Sequence, residues 1–334
     1  MRMGSKRGSR GFALAAGLAT AALAQGASAS EGGASFYLLG SGGPEVAIMP
    51  PLQGVFFSNT AYYYHGEAAG DRQFQVGGNV VAGLNATMAA DFPTVLWVPS
   101  TNFLGGTLGL GAIVPVGQPW VDVSAILTGP RGRTFNVSLS DTDFIVGDPV
   151  LLGALGWKRD KTYFQISNLL NIPIGEYRKG ELANLSFNRW ADDVSAAVSW
   201  HDEASGWDLS TKTGVTFNGE NPFTDYRTGT EWHIEAAIDK ALSPAWSVGV
   251  QGYHFDQLSG DSGSGDRVGP FKGRVTGVGG SIAYNFKVMG KIPISLRFHG
   301  ATEFDAVNRL EGHSFWLDLS MPLHVKMPPG APAV

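Results

Sequence analysis

The chain has 334 residues, a mean hydropathy near zero, 46 glycines and no cysteine. The lack of cysteine excludes disulfides, thiol chemistry and every metal site that needs a thiolate. The formal net charge of −5 gives no electrostatic basis for binding nucleic acid, so we predict no such partner.

The first 29 residues have the features of a secretory signal peptide. Four basic residues precede an apolar, alanine-rich run over residues 12–24, and Ala27-Ser28-Ala29 offers a cleavage site. The run is shorter than the roughly 20 residues that a transmembrane helix needs. Cleavage after Ala24 is an alternative. Removing residues 1–29 leaves 20 basic and 29 acidic residues, a net charge of −9.

The C-terminal stretch Ser314–Val325 alternates strictly between two faces. One face is apolar and consists of Phe315, Leu317, Leu319, Met321, Leu323 and Val325. This period of two predicts a β-strand with one greasy side. Because runs of this kind and length recur along the chain, we predict an all-β fold, a transmembrane antiparallel β-barrel of the outer membrane.

About twelve strands are predicted after an N-terminal segment, residues 30–54, that has no such pattern. Their spans are 55–66, 77–98, 107–127, 144–158, 161–173, 188–201, 206–217, 228–241, 245–257, 271–287, 291–304 and 312–326. The barrel domain therefore covers residues 55–326, and a tail, residues 327–334, follows it. The N-terminal segment is either a plug inside the barrel or a periplasmic lead-in.

The predicted connections alternate between tight turns and long loops. The tight turns are 158–162, 201–206, 241–245 and 287–291, with 98–106 somewhat looser; the long loops are 129–143, 175–187, 218–227, 256–270 and 305–312. Outer-membrane barrels have short periplasmic turns and long extracellular loops. This alternation places both ends of the barrel domain on the periplasmic side.

Aromatic residues flank the tight turns in phase with the apolar faces. They are Trp157, Phe164, Trp200, Trp207, Trp246 and Phe286. Such a belt is typical of a membrane interface. The alternative, the core of a soluble sandwich, gives no reason for all of them to lie beside the short turns.

Charged residues occupy the opposite, polar faces of several strands. The predicted lumen-lining residues are Asp208, Lys212, Glu231, His233, Glu235, Arg297, His299, Glu303 and Asp318. A charge facing lipid at mid-depth costs about 2–4 kcal/mol, which places these side chains inside. They either set the selectivity of a pore or form an interior network that holds the barrel closed.

Six local motifs, in order, resemble an outer-membrane family named for the meta-pathway of phenol degradation. They are Glu31-Gly32-Gly33 through Pro50-Pro51, Gly147-Asp148-Pro149 with Leu155-Gly156-Trp157, Pro173–Tyr177, Asn221–Gly229, Gly252–Leu258 and Phe304–Gly312. The resemblance covers residues 31–325. The tail after Lys326 departs from it, because the last strand does not end the chain on the usual aromatic residue.

The resemblance implies an outer-membrane barrel, often encoded with aromatic catabolism, that passes hydrophobic compounds. It implies no catalytic residues and no cofactor. The expected partners are outer-membrane lipid, small apolar or aromatic solutes and the barrel-insertion machinery. We therefore expect a passive channel for small hydrophobic or aromatic compounds.

Two other functions compete with the channel. A structural or adhesive barrel would use its long loops, and Asp256, Asp261 and Asp266 hint at calcium, although their spacing matches no known calcium loop. A lipid hydrolase would need an outward Ser and His, but His233 and His299 are on the polar face and His254 is assigned to a loop. No catalytic or metal site is predicted.

Overall fold

The computed structural model describes residues 31–68, 73–76, 79–128, 134–267 and 269–326. These residues form one 3₁₀ turn, Glu31–Gly33, and nineteen strands. The strands are β1 (Gly54–Glu67), β2 (Gln73–Val76), β3 (Asn79–Ala82), β4 (Leu84–Phe103), β5 (Gly106–Ile113), β6 (Val116–Thr128), β7 (Thr134–Thr142), β8 (Ile145–Val146), β9 (Val150–Arg159), β10 (Thr162–Asn171), β11 (Ala191–Asp202), β12 (Trp207–Asn218), β13 (Glu220–Asn221), β14 (Tyr226–Arg227), β15 (Glu231–Ala241), β16 (Trp246–Gln257), β17 (Arg274–Val288), β18 (Ile292–Val307) and β19 (Glu311–Val325). The predicted signal peptide and the tail, residues 327–334, lie outside the described residues.

The sheet closes into an antiparallel barrel. Strand β1 pairs on one side with β19 and on the other with β4, and the order continues from β19 down to β9, β5 and β4. Strands β5 and β6 share one position, because β4 pairs with β6 along its first half and with β5 along its second. The barrel thus has twelve strand positions, and the predicted fold class is confirmed.

Several predicted boundaries are wrong. The strand predicted at 107–127 is broken at Val114-Pro115, because proline has no N–H to donate to a ladder. The predicted strand 77–98 instead contains part of the β2–β3 hairpin and most of β4. Strand β7 pairs with β6 and occupies most of the loop predicted at 129–143. The loop predicted at 305–312 shrinks to residues 308–310.

Tight turns lie at one end of the barrel, which we call the tight-turn end. There Gly54, the first residue of β1, pairs with both Val325 and Val98. The connection predicted at 98–106 is a two-residue turn, Leu104-Gly105, between β4 and β5. The φ angles of these residues are 49° and 78°. Positive φ at both positions is what the type I′ hairpin turn requires. The opposite end, with the longer connections, is the long-loop end.

Burial alternates along the strands in the direction that the sequence predicts. In β15, Glu231, His233 and Glu235 are buried, whereas Ile234 and Ile238 are 37% and 46% exposed. An outward apolar surface with a polar interior is the inverse of a water-soluble barrel, and a membrane is the environment that stabilises it. Among the described residues, no helix has the length and apolar character needed to cross a membrane.

The aromatic residues near the tight turns face outward. Trp207 and Trp246 are each more than 40% exposed, and the ring of Trp246 lies 4.5 Å from that of Tyr284. The indole Nε1 of Trp157 donates to the carbonyl of Leu104 at 3.1 Å. An amphipathic ring with one hydrogen bond suits the boundary between lipid and water.

Candidate functional site

All nine residues predicted to line the lumen lie on the inward-facing side of the wall. Six are buried: Asp208, Glu231, His233, Glu235, His299 and Glu303. Lys212, Arg297 and Asp318 are half-buried. They belong to β12, β15, β18 and β19, because alternate residues of a pleated strand share one face.

The N-terminal segment runs through the lumen between these side chains. From here on the name means residues 31–53, the described part that precedes β1. Glu235 accepts hydrogen bonds from two backbone amides, Gly40 at 2.7 Å and Gly42 at 2.5 Å. Further along, the Glu45 amide donates to Asp208 and the Ala47 amide donates to the Ser199 hydroxyl. The segment has no strand partner of its own, so wall side chains satisfy its backbone.

The side chain of Tyr37 anchors the segment between two charged strands. The Tyr37 ring stacks on the His233 ring with centroids 3.5 Å apart. The Lys212 ammonium lies 4.8 Å from the centroid of the Tyr37 ring. Burial raises the pKa of the Tyr37 hydroxyl well above its usual value, so the phenol is neutral. Lys212 therefore has an aromatic ring as its close partner, and the described residues include no ion pair to it.

Hydrogen bonds tie the start of the segment to the long-loop end. The Glu31 carboxylate accepts from Asn221, and the Glu31 amide donates to Thr228. Burial raises the pKa of Glu31, against the lowering effect of the Asn221 hydrogen bond and of nearby Arg189. Two of the motifs that carry the family resemblance therefore meet at this contact.

The residues on β18 and β19 form a second polar group. His299 lies 3.0 Å from Asp318, and the other ring nitrogen contacts Gln251. Arg297 reaches Asp239 at 3.4 Å. Glu303 accepts from the hydroxyls of Tyr64 and Tyr253 and from the Gly312 amide. Most of the charges predicted for the lumen thus have partners in the wall.

Sequence reasoning missed several lumen residues. Asp193 holds His233 at 3.0 Å and also accepts from Ser195 and Thr216. It is in phase with the polar face of its strand, so the same alternation pointed to it. Arg309 comes from a connection, where no periodicity marks the inward side. Arg189 lies within the predicted strand 188–201 and in phase with Asp193, although the structure places it in the connection before β11.

The residues weighed for other functions have local structural roles. His254 lies in β16, not in a loop, and its ring contacts the Thr276 hydroxyl at 2.8 Å. Asp261 is buried and accepts from Tyr226, Gly229 and Gln257. In the part of the chain that the structure describes, no group of three acidic or histidine side chains has the arrangement of a metal site.

The N-terminal segment lines two cavities in the described part of the lumen. The upper cavity, toward the long-loop end, has a volume of about 370 Å³. Its wall is mainly apolar and aromatic and includes Phe36, Leu39, Tyr62, Tyr64, Phe92, Trp316, Arg189 and Arg309. The lower cavity, about 700 Å³, lies toward the tight-turn end and includes Met49, Phe56, Leu96, Leu152, Gln165 and Ser320.

A sequence model of the family described as "Putative MetA-pathway of phenol degradation" matches residues 69–319. The chain belongs to this family. The resemblance inferred from the six motifs is confirmed, and members of this family are here called MetA-pathway barrels. No curated protein sequence matches the chain.

Three solved structures are similar to this MetA-pathway barrel. An outer-membrane channel from Pseudomonas putida F1 is 17% identical, with a TM-score of 0.57, and the match covers 83% of this chain and 98% of that one. The β domain of the Bordetella autotransporter BrkA is 11% identical at a TM-score of 0.44, covering 81% and 100%. The monoaromatic hydrocarbon channel CymD is 7% identical at 0.42, covering 84% and 90%. The first of these likenesses shows that the fold is that of an outer-membrane β-barrel.

Proposed function

We propose that this protein is a passive outer-membrane channel for small apolar or aromatic compounds. The observation that carries the proposal is the upper cavity, an apolar and aromatic pocket of about 370 Å³ inside the lumen. Pockets of this size and lining suit small organic ligands. The family is named for phenol catabolism. The likeness of this chain to an outer-membrane channel supports the same role.

The N-terminal segment is proposed to gate the channel. It lies between the upper and lower cavities and is fixed by hydrogen bonds to Glu235, Asp208 and Ser199. A twelve-stranded barrel is wide enough for a narrow lumen but not for an open porin, so one extended segment blocks it. Displacement of the segment would join the two cavities into a path.

The apolar outer face of the barrel wall supports a location in the outer membrane. The outer face would contact outer-membrane lipid, after export through a cleaved signal peptide and assembly by the barrel-insertion machinery. Side chains such as Val250, 59% exposed, stabilise that contact with hydrocarbon.

A reversible lock tests the channel and its gate together. The Ala47 amide lies 3.1 Å from the Ser199 hydroxyl, and the chain has no cysteine of its own. A disulfide between A47C and S199C would hold the segment against the wall. Uptake of radiolabelled toluene is measured in intact Gram-negative cells, because lipopolysaccharide is the barrier that the channel must bypass.

We expect the wild-type protein to raise toluene uptake severalfold above cells that lack it. The oxidised double variant should lose this increase in uptake, reduction should restore it, and oxidation should leave the uptake of each single variant unchanged. If the folded wild-type protein gives no gain, the channel is refuted and a structural or adhesive barrel is favoured. If oxidation has no effect although the disulfide forms, the segment is not the gate.

A further inference from the structure

Several buried hydrogen-bond donors in the wall of the upper cavity have no partner among the described residues. Two of them are Nη1 of Arg309 and Nε1 of Trp316; the others are on Tyr37, Ser186 and Arg189. Arg309 is 8% exposed and Trp316 is 2% exposed. A buried donor without a partner costs free energy comparable to a lost hydrogen bond, and more when the group is charged. Both atoms therefore point to a ligand that brings an acceptor.

The two donors belong to one neighbourhood. The rings of Trp316 and Tyr62 are 4.5 Å apart, and Arg309 lies close enough to Tyr62 to act on it electrostatically. The guanidinium of Arg309 is also stacked over the ring of Phe255, 4.2 Å from its centroid. This stacking fixes the plane of the Arg309 guanidinium, so the N–H bonds of Nη1 have a defined direction.

The acidic groups beside the cavity do not neutralise Arg309 by contact. Glu303 is the acid that shares its surroundings, but both oxygens accept from other donors: Tyr64, Tyr253 and Gly312. Among the described residues, Arg309 forms no ion pair. Asp148, elsewhere on the wall, is likewise saturated by Asn171, Gly175 and Phe187. The carboxylates of Glu303 and Asp148 are satisfied, whereas Arg309 retains a donor without an acceptor.

Arg189 is a weaker candidate for the same role. Its Nη2 is also buried without an acceptor, but nearby Glu31 is buried and acts on it electrostatically. Glu31 Oε1 has no donor either, so each group offsets the other. Among the described residues, Arg309 forms no ion pair, and both oxygens of nearby Glu303 already accept hydrogen bonds.

We propose that the upper cavity binds small aromatic carboxylates, with the carboxylate on Arg309 and Trp316. A guanidinium fork matches the geometry of a carboxylate, and charge-assisted hydrogen bonds are about twice as strong as neutral ones. The ring of the ligand lies against the aromatic wall that includes Tyr62 and Phe92. This inference rests on the proposed function and names the preferred solute class.

The test compares benzoate with benzamide, its neutral counterpart of the same shape. Binding of each to the purified, detergent-solubilised full-length protein is measured by isothermal titration calorimetry. We expect benzoate to bind at least about tenfold more tightly, the difference that one charge-assisted hydrogen bond provides. Equal affinity for the two compounds would overturn the proposal.

Variants locate the preference. R309Q should weaken benzoate binding more than benzamide binding and so remove the preference for benzoate, and W316F should reduce the preference in part. R274Q is the matched control, because Arg274 pairs with Asp305 on the exposed long-loop end. Heat-modifiable electrophoretic migration checks folding, and R309K retains the charge if R309Q does not fold. The proposal would also be overturned if R309Q kept the preference for benzoate, or if R309K kept the whole of it.

Binding and uptake fail independently. Toluene uptake without any preference for benzoate would refute the carboxylate site and leave the channel intact. Benzoate binding that depends on Arg309, without uptake of any aromatic compound, would refute the channel and leave a binding site.

Discussion

At the scale of single residues, Glu235 is the main anchor of the N-terminal segment. Its two oxygens accept from the amides of Gly40 and Gly42. The approach is so close that a Cβ on residue 42 would lie 2.3 Å from the carboxylate, which explains the glycine there. One buried side chain thus replaces the hydrogen-bond ladder that the segment lacks.

Replacing Glu235 with glutamine should loosen the segment. The amide group presents one N–H where an acceptor is needed, so about 1.5–3 kcal/mol of charge-assisted bonding is lost. In an A47C background, we expect E235Q to speed labelling of the buried cysteine at least tenfold, measured with a water-soluble maleimide. E220Q, at an exposed position in the short strand β13, is the matched control. Unchanged labelling in E235Q would contradict the anchoring role.

At the scale of elements, each membrane strand separates two environments across its own thickness. In β16, Val248 and Val250 face outward while Gln251 and Tyr253 are buried inside. Glycine adjusts this packing locally: a Cβ on Gly277 of β17 would lie 2.2 Å from the ring of Tyr253. The strand pattern therefore reflects both lipid outside and a filled lumen inside.

A lysine on the outer face should destabilise the barrel more near the middle of the membrane than at its edge. Val250 lies near the middle of β16, and V250K should lower the free energy of unfolding by about 2–4 kcal/mol. Val288, at the tight-turn end of β17, is the control, and V288K should cost about 0–1 kcal/mol. Urea unfolding in phospholipid vesicles, followed by tryptophan fluorescence, measures both. Equal costs would refute the assignment of these positions to different depths.

At the scale of the whole molecule, closure of the barrel does not involve the N-terminal segment. Strand β1 begins at Gly54, directly after the segment, and pairs along its length with β19 and β4. The Lys326 amide, directly after β19, donates to the Gln53 carbonyl, but the ladders between the strands themselves are complete without residues 31–53. Lumen carboxylates freed from the segment would be solvated by water that enters.

Deleting residues 31–53 should leave a folded barrel with a wider path. We expect unchanged heat-modifiable migration on electrophoresis and a severalfold rise in single-channel conductance in planar bilayers. The full-length protein, measured in the same membranes, is the reference. A deletion variant that folds but conducts no better than full length would show that loops, rather than the segment, limit the lumen.

Alternation along strands made much of the interior predictable. Asp208, Glu235 and His299 were assigned to the lumen because their phase is set by neighbours in sequence. The break at Pro115 was missed, since period-two counting does not include the lost hydrogen-bond donor. The sequence leaves the position of residues 30–54 open, because a segment without periodicity has no face to assign.

The sequence by itself determined the class of fold, the inward and outward faces, and the family, because these depend on local alternation and short motifs. The tertiary structure alone decided the contents of the lumen. The contact between Gly40 and Glu235 joins residues 195 positions apart, and the unpaired donors of Arg309 and Trp316 appear only where the wall closes around a cavity. Such features depend on distances across the barrel, which no local pattern in a chain encodes.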